Sequence, residues 1–182
     1  MENALNIPAN EFDHHRGDIS SQVMLVQYGD YECPYSAALA GDIDQLMNEF
    51  QGILCHVYRH FPQSGIHEFS EIAALAAEAA DQQDKFWTLH GLLFENSEEL
   101  SGDMIRLLAR KSGLDMEVFE ADMHRFDLFD KVKEDHANAV EAGIKSTPTL
   151  FINGVLYQDS SSYWPLKEAI ELAHNNFRSA WY

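Results

Sequence analysis

Cys33 is the residue of this sequence best suited to chemistry, because it stands where a predicted strand passes into a predicted helix. Pro34 suits an early helical position, since proline has no N–H to lose and a preset φ. The sulfur is then expected beside unpaired N–H groups at the positive end of the helix dipole, where the nucleophilic thiolate is favoured. Ser36 follows one turn along and can direct its hydroxyl at that sulfur. Asp30 and Glu32 act in the opposite sense, because nearby negative charge disfavours a thiolate, so the net effect stays open.

A second candidate segment, Ser146 to Thr149, comes about 115 residues after Cys33 and opens a predicted strand. A proline at this place occupies the first position or the edge of a strand, and only X-Pro bonds readily adopt the cis form. Alone, the pair Thr147-Pro148 is a weak signal. Together with the Cys33 corner and the order of elements around both, it becomes a strong one.

The other cysteine, Cys55, lies inside a predicted strand. Two cysteines are too few for a disulfide framework or a cysteine-based zinc site, so each belongs either to the core or to the chemistry. A disulfide requires Cα atoms within about 7 Å, which a mid-strand position rarely offers to a helix tip, and free cysteine is among the most buried residue types. We therefore predict a core role for Cys55. The alternative for Cys33, an incidental cysteine at a capped helix, is the weaker interpretation.

Nine histidines raise the question of a metal site, and the nearest groups are His14-His15, His56 with His60, and His67. The i, i+4 spacing of His56 and His60 suits a helix, but that segment is predicted as a strand and no carboxylate completes a ligand set. Histidines on half-buried surfaces usually form hydrogen bonds only. We predict no metal site.

The elements that must position Cys33 form a βαβ unit. Residues 1–22 are predicted to be an arm that leads into the fold. A short apolar run, 23–28, favours a buried strand, and an amphipathic helix ending near Gly52 follows the cysteine. A second strand covers 53–59 and ends before Phe61-Pro62. Strand, helix and strand within about forty residues favour parallel strands joined by a right-handed crossover.

The middle of the chain is predicted to be helical. Helices are predicted at 67–82 and 85–94, two more begin after N-caps at Ser101 and Asp115, and a further helix covers 129–142. The aromatic-rich segment 86–94 is expected to pack in the core rather than line a groove over Cys33. Strand signals return at 149–152 and 155–157 around the turn pair Asn153-Gly154, and a last helix runs through 166–177. We predict one α/β domain, 1–182, with a core of 22–65 and 140–182 and a helical insertion of 66–139.

The composition excludes several classes of function. Twelve Lys and Arg against 30 Asp and Glu give a net charge of −18, which opposes binding to a nucleic-acid backbone and favours basic or neutral partners. Apolar residues make up 46% of the chain, enough to exclude intrinsic disorder. No run of eighteen apolar residues and no secretory signal occurs in the sequence. We therefore expect no membrane span and a cytoplasmic location, where thiols are kept reduced.

Three strings, YGDYECPYS, the segment from YRHFPQSG to LLFEN, and STPTLFINGVLY, closely resemble the DsbA-like branch of the thioredoxin superfamily. In particular they are similar to a bacterial cytosolic group whose relatives also occur fused to sodium/proton antiporters. The resemblance runs from about Asp13 to the final helix. It implies a thioredoxin fold with a helical insertion, Cys33 as the attacking cysteine, and Pro34-Tyr35 as the dipeptide of the active-site motif. It further implies that Thr147-Pro148 is the loop whose cis proline packs against the active-site sulfur and whose backbone pairs with a substrate peptide.

One position departs from the family, since Ser36 stands where the second, resolving cysteine belongs. A dithiol enzyme releases its partner when the second thiol attacks the mixed disulfide, and a hydroxyl cannot do this. We therefore expect a monothiol oxidoreductase, a disulfide reductase, isomerase or deglutathionylase, in which Cys33 attacks a disulfide or a glutathionylated thiol. An external thiol such as glutathione then resolves the adduct.

The expected partners are thiol- or disulfide-containing proteins, peptides or glutathione, with no bound cofactor and with glutathione as a candidate co-substrate. The oligomeric state stays open. Two alternatives remain. One is a glutathione-dependent transferase or isomerase resembling the kappa class, against which Cys33 itself argues because that class carries a serine there. The other is a non-catalytic module that binds a peptide or regulates a partner.

Overall fold

The structure is a computed structural model that describes residues 4–179, and its helices and strands alternate at both ends of the chain around a block of consecutive helices. The first half of the sheet and its crossover helix are followed by that block, and a hairpin and a last helix complete the chain. In order, the elements are β1 His14–Arg16, β2 Val23–Gly29, α1 Pro34–Glu49, β3 Leu54–His60, α2 Ser70–Asp81, α3 Phe86–Glu95, a 3₁₀ turn Ser97–Glu99, α4 Gly102–Lys111, α5 Met116–Asp122, α6 Phe126–Glu141, β4 Thr149–Ile152, β5 Val155–Leu156 and α7 Tyr163–Ser179.

The sheet has five strands in the order β1-β3-β2-β4-β5. Antiparallel pairs join β1 to β3, β2 to β4 and β4 to β5. Between β2 and β3, the N–H of Val23 donates to the carbonyl of Ile53 over 3.0 Å, and the side chain of Gln27 bonds that of His56 over 3.0 Å. Positions therefore advance together along the two strands, as in parallel strands. The predicted α/β class and its βαβ and ββα halves are confirmed.

Part of the predicted N-terminal arm belongs to the sheet. Residues His14–Arg16 form strand β1 on β3, and Ala4 bridges Val155 while the N–H of Leu5 donates to the carbonyl of Gly154. The sequence predicted only an arm over 1–22, of which 1–3 lie outside the described residues, and it did not predict strand β1. A three-residue polar edge strand has no periodicity of its own, so its partner defines it rather than its sequence.

The helical predictions are most accurate where a local signal marks an end. The Oγ of Ser101 accepts the N–H of Met104, and Asp115 accepts two N–H groups of the following turn, which confirms both caps. Gly113 and Gly143 have φ of +75° and +76° after α4 and α6, the left-handed conformation that glycine adopts at low cost. Without such a signal, α6 begins at Phe126, three residues before its predicted start.

The chain folds as two compact units. Of the described residues, the first unit, here the sheet unit, contains 4–29, 38–59 and 138–179. The second, here the helical unit, contains 30–37 and 60–137. The predicted boundaries of the helical insertion, 66 and 139, stay predictions. Among the described residues, no helix has both the length and the apolar character needed to cross a membrane.

Each unit has an apolar core. In the sheet unit, the predicted apolar face of α1 packs with β2, β4 and α7, through Val23, Leu25, Leu39, Ile43, Leu46, Leu150, Leu166 and Ile170. In the helical unit, the alanines of α2 are buried and the aromatic-rich helix packs inward, through Ala73, Ala76, Ala77, Ala80, Phe86, Leu89, Leu93 and Phe94. The prediction that segment 86–94 is a core element is confirmed for these buried side chains.

Arg59, near the end of β3, holds the N-terminal segment on the sheet unit. Its guanidinium donates to both carboxylate oxygens of Asp13 over 2.8 Å and to the carbonyls of Ile7 and Pro8. It also donates to the hydroxyl of Tyr28 over 3.0 Å. The side chains of Arg59 and Asp13 are 3% and 6% exposed. Bulk water therefore could not solvate one charge if the other were removed.

Removing one partner of this ion pair is expected to destabilise the protein strongly. Asp13→Asn leaves the Arg59 charge buried, so we expect the free energy of unfolding to fall by about 3 kcal/mol. Asp44→Asn is the matched control, because Asp44 pairs with Arg16 at the surface with 60% of its side chain exposed. Its loss is expected to cost less than about 1 kcal/mol. Urea unfolding of the three proteins at neutral pH makes the comparison, and equal losses would contradict the assignment.

Cys55 lies in β3 with none of its surface exposed. Burial raises its pKa from 9.0 to about 11, and the charges of Asp18 and Asp13 act in the same direction. This confirms Cys55 as a core residue that holds its proton.

The raised pKa predicts a loss of stability at alkaline pH. Unfolded chains release the thiol proton near the ordinary value and the folded chain releases it only near 11, so the contribution is complete below pH 9.0 and is lost as the pH rises towards about 11. Unfolding free energies measured along this range for wild type and Cys55→Ala should converge as the pH rises. Parallel pH curves for the two proteins would show that Cys55 contributes nothing to this dependence.

Candidate active site

Cys33 lies immediately before α1, at the corner that follows β2. Its N–H donates to the carbonyl of Asp30 over 3.1 Å, and its own carbonyl accepts the N–H of Ala37 over 3.0 Å, the first hydrogen bond of the helix. The cysteine is 4% exposed, whereas Pro34 and Tyr35 lie at the surface and Tyr35 is 74% exposed. The thiol group therefore belongs to the helix N-terminus, where free N–H groups and the dipole stabilise negative charge.

The structure shows no hydrogen bond of the Ser36 hydroxyl within the described residues, and a role for Ser36 at the thiolate stays a prediction. The residue is fully buried. Three residues along a helix correspond to a rotation of about 300°, so two side chains on neighbouring turns need not face each other closely enough to bond.

Asp30 stabilises the corner at Cys33 through hydrogen bonds to its carboxylate. Its side chain is fully buried and accepts three hydrogen bonds: from the N–H of Glu32 over 2.9 Å, from the N–H of Gln63 over 2.8 Å, and from Nδ1 of His67 over 2.7 Å. One carboxylate thus joins the residue before the cysteine to the loop that follows β3. The sequence had indicated Asp30 only as a nearby negative charge.

Glu32 makes the second link between the same segments. Its carboxylate accepts the N–H of Phe69 over 2.5 Å. Partial burial raises the pKa of Glu32, and the neighbouring Asp30 acts in the same direction, while the N–H of Phe69 opposes them. Because His67 and Phe69 bond these carboxyl groups, α2 begins at Ser70 instead of at 67 as predicted.

An aromatic and histidine cluster lies behind the corner within the helical unit. Tyr31 is 1% exposed, its hydroxyl bonds Nδ1 of His90 over 3.0 Å, and its ring packs at 4.8 Å on Phe94. Next to it, Nε2 of His60 bonds the carboxylate of Glu78 over 2.8 Å. Sequence reasoning did not predict this cluster, because it expected histidines with hydrogen bonds on half-buried surfaces and named no partner for His60 or His90. The acid at Glu78, inside the alanine-rich run of α2, was the signal that could have indicated a buried polar partner.

Thr147 and Pro148 lie directly before β4, in the sheet unit. The peptide bond between them is cis, and both residues are partly buried. The hydroxyl of Thr149 donates to the carbonyl of Ser146 over 2.7 Å, which closes the turn around the proline. Packing of Pro148 on the sulfur of Cys33 stays a prediction. Neither Cys33 nor Cys55 forms a disulfide.

Sequence comparison places the chain among known proteins. A family model described as "Thioredoxin" matches residues 9–172. The Na(+)/H(+) antiporter NhaA 1 of Mycolicibacterium vanbaalenii is 35% identical over 161 residues, which are 87% of this chain and 26% of that protein. The antiporter NhaA of Herminiimonas arsenicoxydans is 38% identical over 144 residues, 79% of this chain and 23% of that protein. The chain therefore spans about a quarter of the length of the curated relatives it matches.

Solved structures of DsbA-like proteins have the same fold. A thioredoxin-like oxidoreductase from Silicibacter pomeroyi is similar with a TM-score of 0.78 and 26% identity, over 91% of this chain and 94% of the other. BdbD from Bacillus subtilis is similar with a TM-score of 0.82 and 22% identity, over 95% and 98%. The predicted thioredoxin fold of DsbA-like type is confirmed. Since the family model covers nearly all of the chain, including the Cys33 corner and the Thr147-Pro148 turn, this protein belongs to the thioredoxin family.

Proposed function

We propose that the protein is a thiol–disulfide oxidoreductase that works through one nucleophilic cysteine, Cys33. The observation that carries the proposal is the unequal placement of the two cysteines. Cys33 precedes the first helical turn, whereas Cys55 is fully buried in β3 with its pKa raised to about 11. At the position where the family has its second thiol, Ser36 offers only a hydroxyl.

The first step is attack of the Cys33 thiolate on one sulfur of a disulfide. A bond forms between the Cys33 sulfur and that sulfur, the original S–S bond breaks, and the other half leaves as a thiolate that takes up the proton lost by Cys33. The N-terminus of α1 supports this step because its N–H groups favour the anionic nucleophile.

The second step needs an external thiol, because Ser36 cannot attack. A glutathione thiolate attacks the partner's sulfur in the mixed disulfide and forms a new S–S bond with it, while the bond to Cys33 breaks and Cys33 leaves as a thiolate, ready for another cycle. When the first step transfers a glutathionyl group, the sum is one glutathionylated thiol plus one glutathione giving a free thiol plus oxidised glutathione. Such a cycle suits a reducing compartment, and we include a cytoplasmic location in the proposal.

We further propose that Tyr35, Thr147 and Pro148 bind the substrate. Tyr35, exposed beside the cysteine, offers an aromatic contact surface, and Thr147 offers backbone hydrogen bonds to an extended peptide at the cis Thr147-Pro148 turn. The partners proposed are proteins or peptides with accessible disulfides or glutathionylated thiols. The net charge of −18 favours those that are basic or neutral.

A non-catalytic role is the second candidate, and one observation favours it. The segment that matches this chain is about a quarter of the antiporter relatives, which is the arrangement expected of an accessory module. In that case the fold would bind a peptide or regulate a partner without turnover.

Covalent capture distinguishes the two candidates. After exposure to oxidised glutathione, wild type should carry one glutathione on Cys33 and release it to reduced glutathione. Cys33→Ala should carry none, and Cys55→Ala, the matched control, should behave as wild type. Intact-mass spectrometry reads the adducts, and release of oxidised glutathione from a glutathionylated peptide reads turnover. Turnover that survives Cys33→Ala, or a wild type without any adduct, would refute the monothiol mechanism, and the second result would favour the non-catalytic role.

Two substitutions at Ser36 test what the missing thiol does. Ser36→Cys restores a thiol one helical turn from Cys33, so we expect it to expel the glutathione and leave an internal disulfide. Ser36→Ala should retain the adduct and react within about two-fold of wild type, because the hydroxyl has no hydrogen bond to the described residues that its loss would disrupt. Mass spectrometry before and after reduction measures both. A stable glutathione adduct on Ser36→Cys would contradict the proposed resolving position.

A further inference from the structure

We infer that Asp30 is a positioning residue for Cys33 and that His67 is the side chain through which it acts. The inference rests on the proposed function, because it concerns the geometry with which Cys33 meets a disulfide. Asp30 comes three residues before the cysteine and belongs to the helical unit, as do all the groups that bond its carboxylate.

Asp30 constrains the corner through its backbone and its side chain together. Its carbonyl accepts the N–H of Cys33 over 3.1 Å, and its Oδ1 accepts the N–H of Glu32 over 2.9 Å. The second bond is the local turn that aspartate forms with the residue two positions on. The N–H groups of both residues that lead into the helix are therefore bound to Asp30 itself, which limits how far the cysteine can rotate.

The other oxygen of the carboxylate connects this corner to a distant segment. Oδ2 accepts the N–H of Gln63 over 2.8 Å and Nδ1 of His67 over 2.7 Å. The Asp30 side chain is fully buried, whereas the His67 side chain is 19% exposed. Hydrogen bonds to a buried carboxylate are charge-assisted and stronger than neutral ones, so the loop after β3 is held firmly against the corner.

A firmly held corner matters because disulfide exchange has a strict geometry. The attacking sulfur must approach along the S–S bond that it breaks, and small misplacements of a reacting group are costly, on the order of 100-fold for about 1 Å. Alkylation by a small, freely diffusing reagent needs the same thiolate. Unlike disulfide exchange, it does not require a bound disulfide to be aligned with the sulfur. The ratio of the two rate constants therefore isolates positioning from ionisation and exposure.

The test compares the rate constants of Cys33 with oxidised glutathione and with iodoacetamide in the full chain. Asp30→Asn and His67→Ala should lower the ratio of exchange to alkylation by about ten-fold, because each removes a charge-assisted bond. His67→Asn should restore the ratio to within about two-fold of wild type, since the amide of asparagine can replace Nδ1 as the donor. Glu68→Ala changes the exposed neighbour of His67 and should leave the ratio unchanged.

The outcomes separate this inference from the proposed function. A wild type that does not exchange with oxidised glutathione refutes both. A wild type that exchanges, with an unchanged ratio in Asp30→Asn and His67→Ala, refutes only the positioning role, as does an equal loss in Glu68→Ala or no recovery in His67→Asn. Protection of Cys55 from alkylation, together with circular dichroism, shows that a variant is folded. If Asp30→Asn does not fold, the pair of substitutions at the partly exposed His67 carries the test.

Discussion

A buried carboxylate has to be satisfied by hydrogen-bond donors, and at Asp30 this requirement determines the structure around the cysteine. With its side chain withdrawn from water, it takes one donor from its own turn and two from the loop after β3. This turn places Cys33 directly before α1. Because the loop after β3 bonds the corner, α2 begins only at Ser70. The negative charges of Asp30 and Glu32 oppose a thiolate at Cys33, but both carboxylates accept hydrogen bonds. Asp30 accepts them from His67 and from backbone N–H groups, and Glu32 accepts one from the N–H of Phe69.

The fold and the chemistry of this protein have to be judged separately. The fold is that of DsbA-like members of the thioredoxin family, and in this chain β2 leads to Cys33 directly before α1. The chemistry depends on the side chain one turn later. A buried hydroxyl without a hydrogen-bond partner in the described residues occupies this position, so the mixed disulfide proposed at Cys33 has no thiol there to release it. The cycle that we propose for this scaffold therefore depends on thiols supplied from solution.

The sequence predicts local structure correctly where a few neighbouring residues decide it. The apolar face of α1 depends on the spacing of Leu39, Ile43 and Leu46, and the starts of α4 and α5 depend on Ser101 and Asp115 accepting N–H groups within three residues. Strand β1 was missed because three residues of an edge strand are defined by their partner on β3, about forty positions away. The hydrogen bond between His60 and Glu78 was missed for the same reason, because it depends on how α2 packs against the end of β3.

The amino-acid sequence by itself determined which groups can react. It contains one cysteine next to a proline that starts a helix, a serine in place of the second thiol, and one other cysteine in an apolar strand. Only the tertiary structure decided the surroundings of those groups. It showed that the Ser36 hydroxyl has no hydrogen-bond partner among the described residues and that Asp30 receives two of its three donors from residues 33 and 37 positions away. The physical reason is that hydrogen bonds between distant segments depend on how packing brings those segments together, and residue spacing carries no measure of that distance.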